Sequence, residues 1–305
     1  MKRVHLPSYK SADRSAGLDP EADCVAIYRS LLMSEFPWDL NQSLSLALFR
    51  TYAVPSIGRL LDATGGFTTA CQKRYDDTVL LLEAPVLHGF DSPEGRAGIR
   101  RVNQMHAMYD ISNDDMRYVL STFVVVPKRW LDDYGWRPLS EGELTASVHY
   151  YRALGRRMAI KDVPETYEGF ADLMDAYERE HFGYDEGGRR VADATLDLMA
   201  SFYPRAAAAG VRLFSRALMD QPLLDSFDYD AAPPLVQRVS SGALKARARV
   251  VGLLPPRRRL RHAIDTPRIR SYTVAPDLSA MGTFAPGCPV GPGLARATAH
   301  TATAV

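Results

Sequence analysis

Apolar residues along the chain recur at three and four, the period of an α-helix whose one face meets a core. In "GIRRVNQMHAMYDISNDDMRYVLSTFVVVP", residues 98–127, Ile99, Val102, His106 and Tyr109 fall on one side of a first helix. Ser92 can cap its first amides, Pro93 suits the first helical position, and Glu94 sits well in the first turn. A second helix is expected from Ser112 or Asn113, with Met116, Val119, Leu120, Phe123 and Val124 as its stripe and Pro127 as its stop. Further helices are expected in "CVAIYRSLLMSEF" and in "LNQSLSLALFRTYAVPSIGRLL", the latter kinked or divided by Pro55. "TTACQKRYDDTVLLLEAP" has Thr68 and Thr69 as capping candidates and should end before Pro85. Ser140 and Glu143 form a capping box ahead of "LTASVHYYRALGRRM", and Tyr167, Phe170, Met174, Tyr177 and His181 mark another stripe. "RRVADATLDLMASFY", "AAAAGVRLFSRALM" and "PPLVQRVSSGALKARARVVGLL" continue the pattern, and strand signals are almost absent. The expected class is all-α, divided as a polar segment 1–22, a helical domain 23–254, and a basic, then Gly/Pro/Ala-rich extension 255–305 whose end is a loose tail.

With 305 residues, 46% hydrophobic and 24% charged, the chain can bury a large core, and its net charge of +1 argues against a nucleic-acid partner. Arg257, Arg258, Arg259 and Arg261 form a short basic run, read first as solvated, with anion binding as the alternative. Cys24, Cys71 and Cys288 stand far apart and form no CxxC or CxxCH, so a haem would be held noncovalently, and the odd count suits a reducing compartment. The first residues carry no apolar leader, and no run reaches the roughly 18 apolar residues of a membrane span, so a cytoplasmic protein is expected.

A histidine on an apolar stripe has two readings: a core imidazole, or a ligand to iron. The pattern around His106 leaves both open. A carboxylate-bridged di-iron site needs two Glu-x-x-His pairs, and only Glu178 with His181 occurs. GxSxG, GxGxxG and the P-loop are missing. A few polar residues take inward positions on apolar helices: Arg74 and Thr78, four apart, and Asn103, one turn before His106. Taken singly, Arg74 could pair with Asp77 or another acid, and Thr78 could bond back to its own helix. His149, beside Tyr150 and Tyr151, is a further candidate for either packing or a cofactor.

In order, "FPWDLNQSLSLALFRTYAVPSIGRLLDATGGF", "QKRYDDT", "RRVNQMHAMYDISNDDMRYVLSTFVVVPKRW" and "YGWRPLSEGELTASVHYYRALGRRMAIKDVPETY" resemble the MpaB and rubber-oxygenase (latex clearing protein) family of haem b dioxygenases, closer to the MpaB branch. The similarity runs from about Phe36 to His181. Its most specific part is Arg-Val-x-x-Met-His at Arg101 to His106, followed by Asn113 and Asp114. The resemblance implies a globin-like helical core around one noncovalent haem b, with His106 as axial ligand and Arg74 and Thr78 near the haem; Asn103 would orient a group around the porphyrin. It implies dioxygen and a lipophilic, isoprenoid-type substrate, cleaved at a carbon-carbon double bond. A noncatalytic haem carrier or sensor and a di-iron oxidase are the alternatives. Rubber oxygenases have a lysine directly before the threonine, where this chain has Asp77, and an arginine and a histidine shortly after the axial histidine, where it has Asp110 and Ile111. These differences count against rubber cleavage itself.

Overall fold

The computed structural model describes residues 15, 17–255, 257 and 259–283. Most of the expected polar N-terminal segment, Arg258, Cys288 and the Gly/Pro/Ala-rich tail lie outside the described residues. Among those described there is no strand, and the expected all-α class holds. The helices are α1 (Cys24–Ser30), α2 (Pro37–Tyr52), α3 (Pro55–Ala63), α4 (Gly66–His88), α5 (Pro93–His106), α6 (Asn113–Tyr134), α7 (Glu141–Arg157), α8 (Tyr167–His181), α9 (Glu186–Ser201), α10 (Ala208–Ala217), α11 (Gln221–Ser226) and α12 (Pro234–Leu253). A π-helical turn, Leu31–Glu35, joins α1 towards α2.

Packing divides the chain into two units, one of residues 1–71 with 113–261, the other of residues 72–112 with 262–305. The partition expected at 22/23 and 254/255 followed composition; this one follows contacts and cuts the chain elsewhere. The first break falls just after Ala70, where φ −148° and ψ 40° interrupt α4.

In the first unit α2 packs along α6, α6 along α8, α3 on α9, and α1 on α7. Phe49, Tyr52, Val191, Leu196, Leu223, Leu224 and Phe227 form one buried cluster. Helices α3 and α9 meet backbone to backbone, since a Cβ on Gly58 would stand 2.7 Å from the Cα of Gly188. Tyr28 of α1 stacks on Tyr150 of α7 at 4.3 Å and shares a 2.6 Å hydrogen bond with Tyr151, while burial pushes its pKa up to about 12.

A charge cluster, buried at Glu178 and open to solvent at Asp220, ties four of these helices together. Arg50 on α2 donates from Nε to Glu178 on α8 at 2.6 Å, from a second nitrogen to the other carboxylate oxygen, and at 2.7 Å to Asp220, the N-cap of α11. Tyr118 of α6 donates to the Arg50 carbonyl at 3.0 Å and to Glu178 at 3.1 Å. Burial alone would lower the Arg50 pKa; the two carboxylates more than offset this and hold it above its usual value. Glu178 is thus committed to structure, and its neighbour His181 stacks on Tyr177 at 4.0 Å, which removes the one pair that suggested di-iron.

Several helix ends follow the sequence. Pro55 opens α3, Ser92 accepts the Gly95 amide at 2.9 Å, α6 begins at Asn113, and the Ser140/Glu143 box is complete. Two stops do not occur. Pro127 lies inside α6 and Pro85 inside α4, both buried. A proline costs its helix one backbone bond, but the turn after Pro127 buries Trp130 and Leu131, and Trp130 donates to Asp39 at 3.3 Å. Thr68 and Thr69 do not cap: both hydroxyls donate to the Gly65 carbonyl, at 3.1 and 2.7 Å.

Removing one partner of a buried ion pair typically costs about 3–5 kcal/mol. Glu178→Ala should therefore lower unfolding free energy in urea by about that amount, whereas an exposed pair such as Arg190–Asp62 should matter far less when broken.

Candidate functional site

The second unit contains His106, Arg74, Thr78 and Asn103. It consists of α4 from Gln72, α5, and a returning segment whose described part is residues 262–283. Leu80, Leu81, Ile269 and Met281 form its core, with Tyr75, Val79, Val102, Met105, Ile264 and Tyr272 against them.

The returning segment is held by charges on α4 and α5. Asp76 is fully buried and accepts the amides of Arg270 at 3.1 Å and Ser271 at 2.8 Å, plus the Gln72 side chain at 2.8 Å. Asp77 takes Lys73 at 2.7 Å, the Tyr272 hydroxyl at 2.5 Å and the Gly282 amide at 3.1 Å. Glu83 accepts the Ala263 amide at 2.7 Å. From α5, Arg101 donates to the carbonyls of Met281, at 2.6 Å, and Thr283. Gly282 has φ +77°, and a Cβ there would stand 2.3 Å from the Met105 sulfur, so only glycine fits.

Three residues of the Arg-Val-x-x-Met-His stretch are occupied by packing and hydrogen bonds. Arg101 grips the returning backbone, Val102 and Met105 pack into the core, and His106 remains. His106 closes α5 and is half-buried. Its Nδ1 is buried with no hydrogen-bond partner among the described residues. A helix C-terminus favours a protonated imidazole. Burial, followed by the positive charge of Arg74, outweighs this and lowers the His106 pKa below its usual value. The ring is held neutral, the state in which a nitrogen lone pair can bind a metal.

Arg74 is half-buried on α4 and acts on His106 through its charge. The Thr78 hydroxyl donates to the Arg74 carbonyl at 2.8 Å, the local bond that its spacing allowed. Asn103 stands half-buried one turn before His106, its carbonyl accepting the Ala107 amide at 2.9 Å. His149 belongs to the other unit, where its Nδ1 lies 4.0 Å from Glu21. Among the described residues no three His, Cys, Asp or Glu side chains converge as a metal-binding group. Iron held by a porphyrin needs only an axial side chain from the protein, and an orphaned, neutral His106 beside an arginine fits that demand.

The roles of Asp76, Glu83 and Arg101 were not read from the sequence. A signal was present: Asp76, Leu80 and Glu83 are spaced four and three, so acids share a stripe with leucine. Acids on an inward stripe require donors from elsewhere, and no local pattern says that these come nearly 200 residues later.

Residues 40–275 match the family model described as ER-bound oxygenase mpaB/B'/Rubber oxygenase, catalytic domain, and the chain belongs to this family. It is 29% identical over 275 residues to an ER-bound oxygenase mpaB' of Penicillium brevicompactum, a match covering 84% of this chain and 64% of the relative. It is also 29% identical over 242 residues to an ER-bound oxygenase mpaB of the same fungus, covering 73% and 61%. With an ER-bound oxygenase mpaB of Penicillium roqueforti (strain FM164) it shares 27% over 246 residues, covering 75% and 81%. The chain thus spans just under two thirds of the length of the first two relatives. Those relatives are named ER-bound, and among the described residues here no helix is long and apolar enough to cross a membrane.

Two outcomes are expected for the returning segment. Asp76→Ala leaves two backbone amides without their acceptor and should cost about 2–4 kcal/mol, with faster amide exchange at Arg270 and Ser271; unchanged exchange there would refute the pin. Glu83 has its pKa raised from 4.5 by burial, partly countered by the Ala263 amide. A carboxyl with a raised folded pKa contributes stability below its unfolded value and loses it as pH rises through the folded one. Glu83→Gln should therefore be more stable than the parent at pH 7, with the advantage vanishing as pH falls below 4.5 in paired denaturation curves.

Proposed function

We propose that this chain is a haem b-dependent oxygenase acting on a lipophilic, isoprenoid-type substrate and cleaving a carbon-carbon double bond. Family membership supports the oxygenase class, and the orphaned Nδ1 of a neutral, half-buried His106 carries the haem assignment. An unsatisfied buried polar atom costs about 1–3 kcal/mol, a cost that ligation relieves.

Haem b, when bound, supplies the activation of dioxygen for insertion at the double bond, with two carbonyl groups as products. The protein's own residues do the rest. His106 would hold the iron, its ring kept free of a proton by burial and by Arg74. Arg74 would contribute a permanent positive charge suited to a haem carboxylate. Thr78, its hydroxyl bonded to the Arg74 carbonyl, stands one turn beyond the arginine on α4. Asn103 presents an amide from the same helix as His106. Asp77, where rubber oxygenases have a lysine, has its carboxylate bound to Lys73, Tyr272 and Gly282, so this position has a structural task here.

The purified chain should show a strong Soret band and a pyridine haemochrome of b type near one per chain. His106→Ala should remain helical by circular dichroism and lose the band, and Arg74→Ala should retain the axial ligand but release haem faster to apomyoglobin. Full haem occupancy with an unchanged spectrum in His106→Ala would refute the ligand. Oxygen uptake with carbonyl formation from an olefinic isoprenoid then separates an oxygenase from a haem carrier or sensor, which would bind haem without turnover.

A further inference from the structure

Helix α12 has two apolar faces, and the fold uses one. Inward, Ser240, Leu244 and Ala248 are buried. The helix is fastened there by Arg247, which donates to Asp39 at 2.9 Å and lies 3.8 Å from the centre of the Trp38 ring, and by a 3.0 Å bond between Ser241 and Tyr134.

The opposite face consists of Leu235, Val239, Ala243, Ala246, Val250 and Leu253, spaced four, four, three, four and three, hence in one line. Leu235 is 71% exposed, Val239 61%, Val250 59% and Leu253 79%. A 20-residue helix is about 30 Å long, so this stripe is far more than a stray exposed leucine. One flank carries Arg238, Lys245 and Arg249, all exposed and spaced seven and four. Beyond the helix, Arg257 and Arg259 are exposed, as are Leu254 and Leu260. No acidic residue occurs between Asp230 and Asp265.

We infer that the outer face of α12 is a peripheral docking surface for anionic lipid membranes, the helix lying in the interface with its apolar stripe down. An interfacial helix needs an apolar stripe and a cationic border, since either signal alone binds weakly. Both occur here on one rigid helix. Pairing this face with a second copy would set the same cations against each other, whereas an anionic headgroup layer attracts them. The inference rests on this surface alone and is independent of the haem assignment.

Flotation of the full chain with phosphatidylcholine vesicles containing about 30% phosphatidylserine tests it. The expected result is binding to these vesicles, weak binding to phosphatidylcholine alone, and release in about 0.5 M salt. The double variant Val250→Asp/Leu253→Asp should keep the parent's unfolding midpoint, because both side chains are exposed, and should bind roughly tenfold more weakly or less. Reversing the flank with Lys245→Glu/Arg249→Glu should reduce binding to the anionic vesicles only. Absence of flotation, or flotation indifferent to both double variants, would overturn the inference. So would a dimer in sedimentation velocity that dissociates in Val250→Asp/Leu253→Asp while vesicles are ignored, since the face would then serve a second copy.

Discussion

A charge taken out of water must find a partner, and in a chain of helices the partner usually has to come from another helix or a distant segment. Much of the tertiary structure here answers that requirement. Arg50 cannot be buried on α2 without the Glu178 and Asp220 carboxylates, and these fix α8 and the start of α11 in register with it. Asp76 and Asp77 cannot be buried on α4 without donors, and beyond Gln72 and Lys73 on the same helix these come from residues 270–282. Hydrophobic burial supplies most of the driving force, but it is tolerant of small shifts. The charge clusters are not, and they select one arrangement within each unit.

His106 gains its meaning against that background. Around it the unit satisfies its inward polar groups with care: Asp76 has three donors, Asp77 has three, Glu83 has a backbone amide, and Arg101 has two carbonyls. A ring nitrogen without a partner among the described residues is an exception to that rule. The bonds that hold the returning segment also bind α5, through Arg101, and Gly282 packs close to Met105, the residue before His106.

The fold class and most helix ends were legible because they depend on short-range chemistry: Ser92 caps three residues on, and Ser140 and Glu143 satisfy each other. Pro85 and Pro127 misled because a proline's penalty is local while the compensation, burial of Trp130 among it, is not. At the site, the periodicity placed His106 on an inward face but could not tell a core imidazole from a ligand. The Nδ1 without a partner among the described residues, which supports the proposed ligand, is visible only in the folded chain. Arg74 and Thr78 proved half-buried, and the deepest polar side chains of α4 are the two aspartates between them. Their function was illegible because it is a contract with backbone amides, and backbone amides leave no mark in a sequence.

Position 77 shows how far such a contract reaches. A lysine here, as in rubber oxygenases, would withdraw the acceptor from the Tyr272 hydroxyl and the Gly282 amide and set a second cation beside Lys73. The Gly282 amide belongs to the residue that packs on Met105, next to His106 in sequence. Exchanging the two side chains would therefore disturb the support of the histidine as well as change the group offered from α4. The aspartate and the segment bound to it form a matched set, and a change of ligation chemistry at this point would require the returning chain to change with it.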